Sequence, residues 1–407
     1  MNGKTLKNYA RLIFRFGVNL QKGQAVEIIC PTNLSKQAEI FTKTAYDMGA
    51  SLVRIRWNND AIDRLTYINA PTERLTDVPK WLVMQRDELV KKNFCYVAIS
   101  AEDPYAFKGV DAKKLATVAR ARSKALRKFS DSVMNNEIRW CVASLPASAW
   151  AKRIFPEDKN AKAKLSSLIE KTMRLDAPDP EKAWEEHINS LKKRADFLNA
   201  HDFDSLIFEN AIGTHLTVGL ADNHLWLSAN EKAKDGVEFI ANMPTEEIFT
   251  APHKNRVNGI VKSAMPLCHN GQIVDGFSIT FKNGKIIDYS AEKGADTLKG
   301  LIETDEGCLH LGEVALIGKN SPIAKTGVLF YNTLFDENAS CHLAIGKAYP
   351  TTVKGGENLS ENELNALGVN DSIEHVDFMI GTPDLRVYGV KKSGEKILLL
   401  DDGDWII

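Results

Sequence analysis

The sequence predicts an α/β N-terminal domain with a mainly parallel sheet, followed by a β-rich α+β C-terminal domain. Three observations lead there. β-rich and helix-spaced runs alternate through the first part of the chain, and such alternation favours parallel strands flanked by helices. After Asp204 the character changes to short strand-like runs separated by Gly, Asn and Asp. A length of 407 residues also exceeds what a single hydrophobic core usually organises. The expected boundary lies near residue 200, giving domains 1–200 and 201–407.

In order, "QAVEIIC" reads as a strand, and "NLSKQAEIFTKTAYDM" has helical spacing through Leu34, Ala38, Phe41 and Ala45. Gly49 ends that helix, and "SLVRIRW" is the next strand. The pattern recurs with "NFCYVAIS", a helix from about Asp111 to Met134, and "IRWCVAS". Helices are expected over Ala161–Leu175 and Pro180–Leu198, separated by "DAPDP". Beyond them, "SLIFEN", "THLTVGL" and "HLWLS" are short strands, and "GFSITFKNGKIIDYS" predicts a hairpin with Asn283-Gly284 at its tip.

Composition excludes several classes. With 44% hydrophobic and 26% charged residues the chain has ordinary globular composition. A net charge of -1 gives no overall attraction to nucleic acid or acidic membranes, and no apolar stretch is long enough to span a bilayer. The N-terminal residues do not read as a signal peptide. The six cysteines form no C-x-x-C pair, which suits free thiols in a reducing cytoplasm rather than a zinc knuckle. Neither G-x-G-x-x-G nor a phosphate-loop lysine is present in the N-terminal part. The basic helix "KKLATVARARSKALRK" reads as a solvated or substrate-funnel face.

Ligand-type residues gather in the second half. In "TLFDENASCHLAIGKAYP", Asp336, Glu337 and His342 interrupt an apolar run. A plain core excludes unpaired carboxylates, so this is the composition of a cleft wall in which cations offset their desolvation. Glu246 and Glu247 lie in a loop, "NMPTEEIFTAP", and Glu313 heads the apolar run of "HLGEVALIG". "EHVDFMIG" places His375 and Asp377 on one face of a strand. On a continuous helix Glu337 and His342 would be rotated apart by roughly 140°, so they share a site only if the segment turns or ions lie between them. Carboxylates with imidazoles suit Zn, Co or Mn, and an acid-rich set with two histidines resembles a two-metal hydrolase.

The runs "MPTEEIFTAP", "LGEVALIG", "GVLFYNTLFDENASCHLAIGKAYP" and "HVDFMIG", with "KGQAVEIICP" and "AYDMGASLV" near the N-terminus, resemble the aminopeptidase T and aminopeptidase S family of dimetal aminopeptidases. The resemblance implies a C-terminal catalytic domain with Glu247, Glu313, Glu337, His342, His375 and Asp377 as metal residues, Glu313 bridging. It implies Tyr349 as the oxyanion donor and two divalent ions. It further implies peptide substrates with a free N-terminus, a homodimer and a cytoplasmic location. The spacer between His342 and His375 is slightly longer than the family pattern and falls in "TTVKGGENLSENELNALG", expected as a rim loop that bears on substrate preference. Another dimetal amidase or esterase, or a non-catalytic peptide-binding protein, are the alternatives; the latter predicts lost ligands, and all six positions are present.

Taken singly, His375 and Asp377 could be a surface-strand pair, and Tyr349 a packed aromatic. Glu246 is expected to be exposed. Cys341 is expected to be a small buried hydrophobe rather than a nucleophile. His187, His201, His215, His224, His253, His269 and His310 are given no functional role.

Overall fold

The computed structural model describes residues 1–407. They form two compact units, Met1–Asn189 with Ala229–Thr245, and Ser190–Ser228 with Glu246–Ile407. The sequence suggests one junction near residue 200. Instead the first junction falls inside the helix Pro180–His201, and the segment Ala229–Thr245 returns to the first unit.

The first unit contains the expected parallel strands β1 (Ala25–Pro31), β2 (Leu52–Asn58), β3 (Cys95–Ser100) and β4 (Trp140–Ser144). They are ordered β2-β1-β3-β4, and the two-residue strand Asn242–Met243 adds in parallel beside β4. β1 lies inside the sheet, and Val26, Ile28 and Cys30, alternate residues on one of its faces, are buried, while the other face carries Glu27. The helix Ser35–Asp47 turns Ala38, Phe41 and Ala45 inward, and Gly49 takes φ 100° just after it. The helix expected over Asp111–Met134 is two helices, Ala112–Ala125 and Arg127–Met134, meeting at Leu126.

One carboxylate lies at the heart of this unit. Glu27 on β1 is fully buried, and Arg54 donates to its Oε2 from Nη2 at 2.8 Å and from Nε at 3.1 Å. Arg86, itself buried on the helix Lys80–Lys91, donates to Oε1 at 2.9 Å, and Arg56 Nε lies 3.7 Å from the same oxygen.

The second unit is β-rich. Its strands are β5 (Ser205–Glu209), β6 (His215–Leu220), β7 (Ile248–Thr250), β8 (Pro252–Lys262), β9 (Ser278–Lys282), β10 (Lys285–Ser290), β11 (Leu311–Leu316), β12 (His342–Gly346), β13 (His375–Met379), β14 (Arg386–Val390), β15 (Lys396–Asp401) and β16 (Asp404–Trp405). An eight-stranded sheet runs β10-β9-β8-β6-β5-β14-β15-β16, and a four-stranded antiparallel sheet runs β7-β11-β12-β13. The β9–β10 hairpin turns at Asn283 and Gly284, both with positive φ, as a tight two-residue turn requires. One face of the small sheet is apolar: Val314, Leu343, Ile345 and Phe378 are buried there, with the Phe378 ring 5.6 Å from that of Phe277. That packing fixes the register and commits the other face to alternate residues.

The expected rim loop is partly helical. Glu361–Ala366 is a short helix with a Ser360–Glu363 capping box, and Leu364 and Leu367 pack on Val353, Val369 and three alanines.

Glu27→Ala should cost about 3–5 kcal/mol, because it strands the Arg86 guanidinium in the core while Arg54 escapes to solvent. Urea unfolding followed by tryptophan fluorescence measures this; an unchanged midpoint would show that the Arg86 guanidinium is accommodated without the carboxylate.

Candidate metal centre

The free face of the small sheet carries the chemistry. Glu313 on β11 lies opposite Ala344 on β12, which lies opposite Asp377 on β13. One step along, His375 pairs with Gly346, and His342 pairs with both Ala315 and Met379. Paired residues and i, i+2 residues share a face, so Glu313, His342, His375 and Asp377 converge over a floor that includes Ala315, Ala344 and Gly346. Small floor residues leave room between the acids.

Glu313 reaches this face through a bulge. Pairing steps from Leu311–Ile345 to Glu313–Ala344, which leaves Gly312 as the extra residue. Without that step Glu313 would pair with Leu343 and turn to the apolar face. A Cβ at Gly312 would lie 2.3 Å from the Lys347 carbonyl oxygen and 2.4 Å from that of Gly346, so only glycine fits.

Two further carboxylates come from outside the strands. Glu247 immediately precedes β7. Glu337 begins a 3-10 turn that follows the helical turn Thr333–Asp336, and β12 starts at His342. The segment therefore turns between Glu337 and His342, which settles how both can face one site. Asp336 stands apart: buried, it accepts the backbone N–H groups of Phe330 at 2.8 Å and Asn332 at 2.9 Å. Burial pushes its carboxyl up to about 7 despite those donors.

Both histidines are oriented by backbone. His342 Nδ1 faces the carbonyl oxygens of Glu337 at 3.0 Å and Ser340 at 3.2 Å, and His375 Nδ1 faces that of Lys347 at 2.6 Å. A carbonyl only accepts, so each Nδ1 carries hydrogen and each Nε2 turns to the carboxylates. His342 Nε2 lies 3.2 Å from Glu247 Oε2 and 3.3 Å from Glu313 Oε1; His375 Nε2 lies 3.4 Å from Asp377 Oδ1 and 3.7 Å from Glu313 Oε2. Glu313 thus offers one oxygen to each histidine.

Electrostatically the cluster is short of positive charge. Glu247, Glu313, Glu337 and Asp377 are all buried, and the ion pairs of Glu247, Glu313 and Asp377 are to histidines. Burial raises the carboxyls of Glu313 and, more strongly, Glu337. Burial works against a charged imidazole, yet the hydrogen bonds to Glu247 and Glu313 hold His342 well above its usual value. At His375 the negative charge of Asp377 likewise overcomes burial and lifts it to about 9, while Asp377 falls below its usual value because His375 outweighs its own burial. Asp377 Oδ1 is buried, and His375 Nε2 at 3.4 Å pairs with it by charge without a well-aligned hydrogen bond. Glu247, Glu313 and His342 form one group, and Glu313, His375 and Asp377 a second; within each, the ligand atoms lie within 4.8 Å of one another. A buried carboxylate oxygen lacking a well-aligned hydrogen bond, in a donor set of oxygens with imidazole nitrogens, fits divalent cations.

The model of the thermophilic metalloprotease family M29 matches residues 2–405. This chain belongs to that family. It is 41% identical over 404 residues to aminopeptidase 2 of Geobacillus stearothermophilus, covering 99% of this chain and 98% of the relative. It is 40% identical over 402 residues to aminopeptidase AmpS of Bacillus subtilis (strain 168), with 98% of each chain covered. The solved structure of wild-type AmpT from Thermus thermophilus superposes with a TM-score of 0.91 at 34% identity, over 99% of both chains. As a member of a metalloprotease family, the chain is an enzyme that uses divalent metal.

Of the six residues expected as the metal set, Glu247, Glu313, His342, His375 and Asp377 meet in the two groups, and Glu337 lies near enough to feel the charges of Asp377 and Glu247. Tyr349 borders the cluster: its ring stands edge-on to the His375 ring at 5.1 Å and to Phe249 at 6.0 Å. Glu246, expected to be exposed, is buried, and its N–H donates to Asn338 Oδ1 at 2.7 Å. Cys341 is buried, its thiol pushed up to about 11 and placed 3.3 Å from the backbone N and O of Ile317. His187, His201, His224 and His310 each face a backbone carbonyl. Sequence reading missed Gly312, Ala344 and Asn338. The one available signal was a glycine inside a strand pattern, which marks a bulge.

Gly312→Ala should cost about 1–3 kcal/mol by overpacking and should lower metal content, since the bulge must open to admit a methyl group. Thermal unfolding and metal analysis after dialysis check both; wild-type values for each would show that the strand shifts freely at Gly312.

Proposed function

We propose that this M29 protein is a two-metal aminopeptidase that removes N-terminal residues from peptides with a free N-terminus. Relatives at 41% and 40% identity named aminopeptidases support the substrate class. The single observation that carries the two-ion reading is Glu313, whose two carboxylate oxygens face two different histidines and which belongs to both ligand groups. Glu247, Glu313 and His342 would hold one ion, and Glu313, His375 and Asp377 the other, with Glu337 adding charge beside them. The donor set suits Zn, Co or Mn.

Bound divalent cations supply Lewis-acid polarisation of a scissile carbonyl and activation of a water at neutral pH. The protein supplies the rest. Backbone carbonyls keep both imidazole rings in one tautomer and orientation, so their Nε2 atoms need no rearrangement on binding. The apolar walls keep the carboxylates away from bulk water, which strengthens their hold on a cation. Tyr349, beside His375, would donate its hydroxyl hydrogen to the carbonyl oxygen as negative charge grows there. All of these residues lie in the second unit, and catalysis is assigned to the C-terminal half. Six free cysteines are compatible with the cytoplasm, and by the family resemblance we place the enzyme there as a homodimer. No helix is long and apolar enough to cross a membrane.

Chelated protein should lose activity on an unblocked dipeptide amide and regain it as two equivalents of divalent ion are added, with the N-acetylated substrate uncleaved throughout. Full activity after confirmed metal removal would sink the proposal. Glu313→Gln should lose metal and activity together, because a neutral amide shares poorly between two cations; turnover at the wild-type rate with both ions bound would mean another residue bridges.

Tyr349→Phe should lower kcat by about 10²–10³ with KM and metal content nearly unchanged, because such a donor acts mainly on the transition state. A metal-replete variant with wild-type kcat would make Tyr349 a packing residue only.

A further inference from the structure

Two of the cluster's carboxylates lie outside the strands, Glu247 in the irregular stretch just before β7 and Glu337 on a 3-10 turn. Side chains so placed need something to hold them, and one fully buried amide touches both segments. Asn338 Nδ2 donates to Glu337 Oε1 at 3.3 Å and to the Leu334 carbonyl oxygen at 2.9 Å. Its Oδ1 accepts the N–H of Glu246, the residue beside Glu247, at 2.7 Å. The Asn338 carbonyl oxygen in turn accepts the Ser321 hydroxyl at 3.3 Å. One side chain therefore orients one ligand-type carboxylate directly and fixes the backbone next to another, across 92 residues of sequence.

We propose that Asn338 is a positioning residue, a clasp that sets Glu247 and Glu337 for the cation of the Glu247–Glu313–His342 group. The inference rests on the two-metal reading, but concerns only that group. Both polar ends of the amide are needed: the oxygen anchors the Glu246 N–H, and the nitrogen restrains Glu337 and ties it to the preceding helical turn. The ligand atoms of the second group, Glu313, His375 and Asp377, are carried entirely on strands β11 and β13, whose ladder rather than Asn338 places them. Losing Asn338 should therefore weaken one ion and spare the other. A residue that merely fills space would affect both ions equally, or only the melting temperature.

The test is competition of metal-free, full-length protein with a chromophoric chelator for Zn(II), in the wild type, Asn338→Leu and Asn338→Asp. Asn338→Leu keeps the branched shape at a larger volume and removes every hydrogen bond of the amide. It should weaken one of the two binding steps by about 10–100-fold, the usual effect of removing a group that orients a ligand, and leave the other within threefold. If Asn338→Leu does not fold, Asn338→Asp decides. It keeps the acceptor for Glu246 but loses the donor to Glu337, and its added negative charge by itself would tighten a cation. The clasp predicts weaker binding nonetheless. Two steps that are both unchanged or tighter, or equal weakening of both steps, overturn the clasp. Should the wild type bind a single ion, the two-metal reading fails; the clasp is then judged on that step alone, and an unchanged affinity refutes it.

Discussion

Concentrated negative charge in an apolar wall is the constraint on which the second unit depends. Four buried carboxylates within reach of one another repel and resist desolvation together, and two imidazoles do not neutralise four acids. The contrast with Glu27 is instructive. There the protein surrounds one buried carboxylate with Arg54, Arg56 and Arg86 from its own chain, and the result is a closed structural ion cluster. At the cluster on β11, β12 and β13 the ion pairs are made by histidines alone, whose charge is conditional. A fold that can supply arginines but withholds them leaves the balancing charge to come from outside. That is the electrostatic signature of a metal site rather than of a stabilising network.

The rest of the local architecture answers geometric demands of that charge. Ala344 and Gly346 occupy the floor where a larger side chain would push Glu313, Asp377 and His375 apart. The bulge at Gly312 spends one unpaired residue to bring Glu313 onto the same face as its partners. Opposite them, Val314, Leu343 and Phe378 hold the sheet by ordinary apolar packing, so register and ligand placement are one fact.

Much of this was legible in the sequence, for identifiable reasons. Parallel strands buried on both faces read as apolar runs, and the period-2 spacing of His375 and Asp377 placed them together once a strand was accepted. Recognition of the family's motifs brought all six cluster residues onto one list, which periodicity alone could not do. What stayed hidden depends on long-range backbone pairing. Whether Glu337 and His342 could meet hinged on the turn that the Glu337 carbonyl oxygen closes, accepting the Ser340 N–H at 3.3 Å and facing His342 Nδ1 at 3.0 Å. The burial of Glu246 follows from Asn338, far away in sequence. The return of Ala229–Thr245 to the first unit rests on a two-residue strand, too short to announce itself. The rim segment looked like a loop because its helix is only Glu361–Ala366 and is ordered by contact with Val353 and Val369.

The two ligand groups differ in how they are built. Glu313, His375 and Asp377 project from neighbouring parts of one sheet whose reverse face is locked in the core, so their separations are set before any ion arrives. Side chains on strands hold a geometry more tightly than side chains on turns. Glu247 and Glu337 stand outside the strands, and a buried amide ties the backbone beside one to the carboxylate of the other. The cluster therefore joins a half placed by the strand ladder to a half whose placement rests on side-chain hydrogen bonds made across 92 residues of sequence.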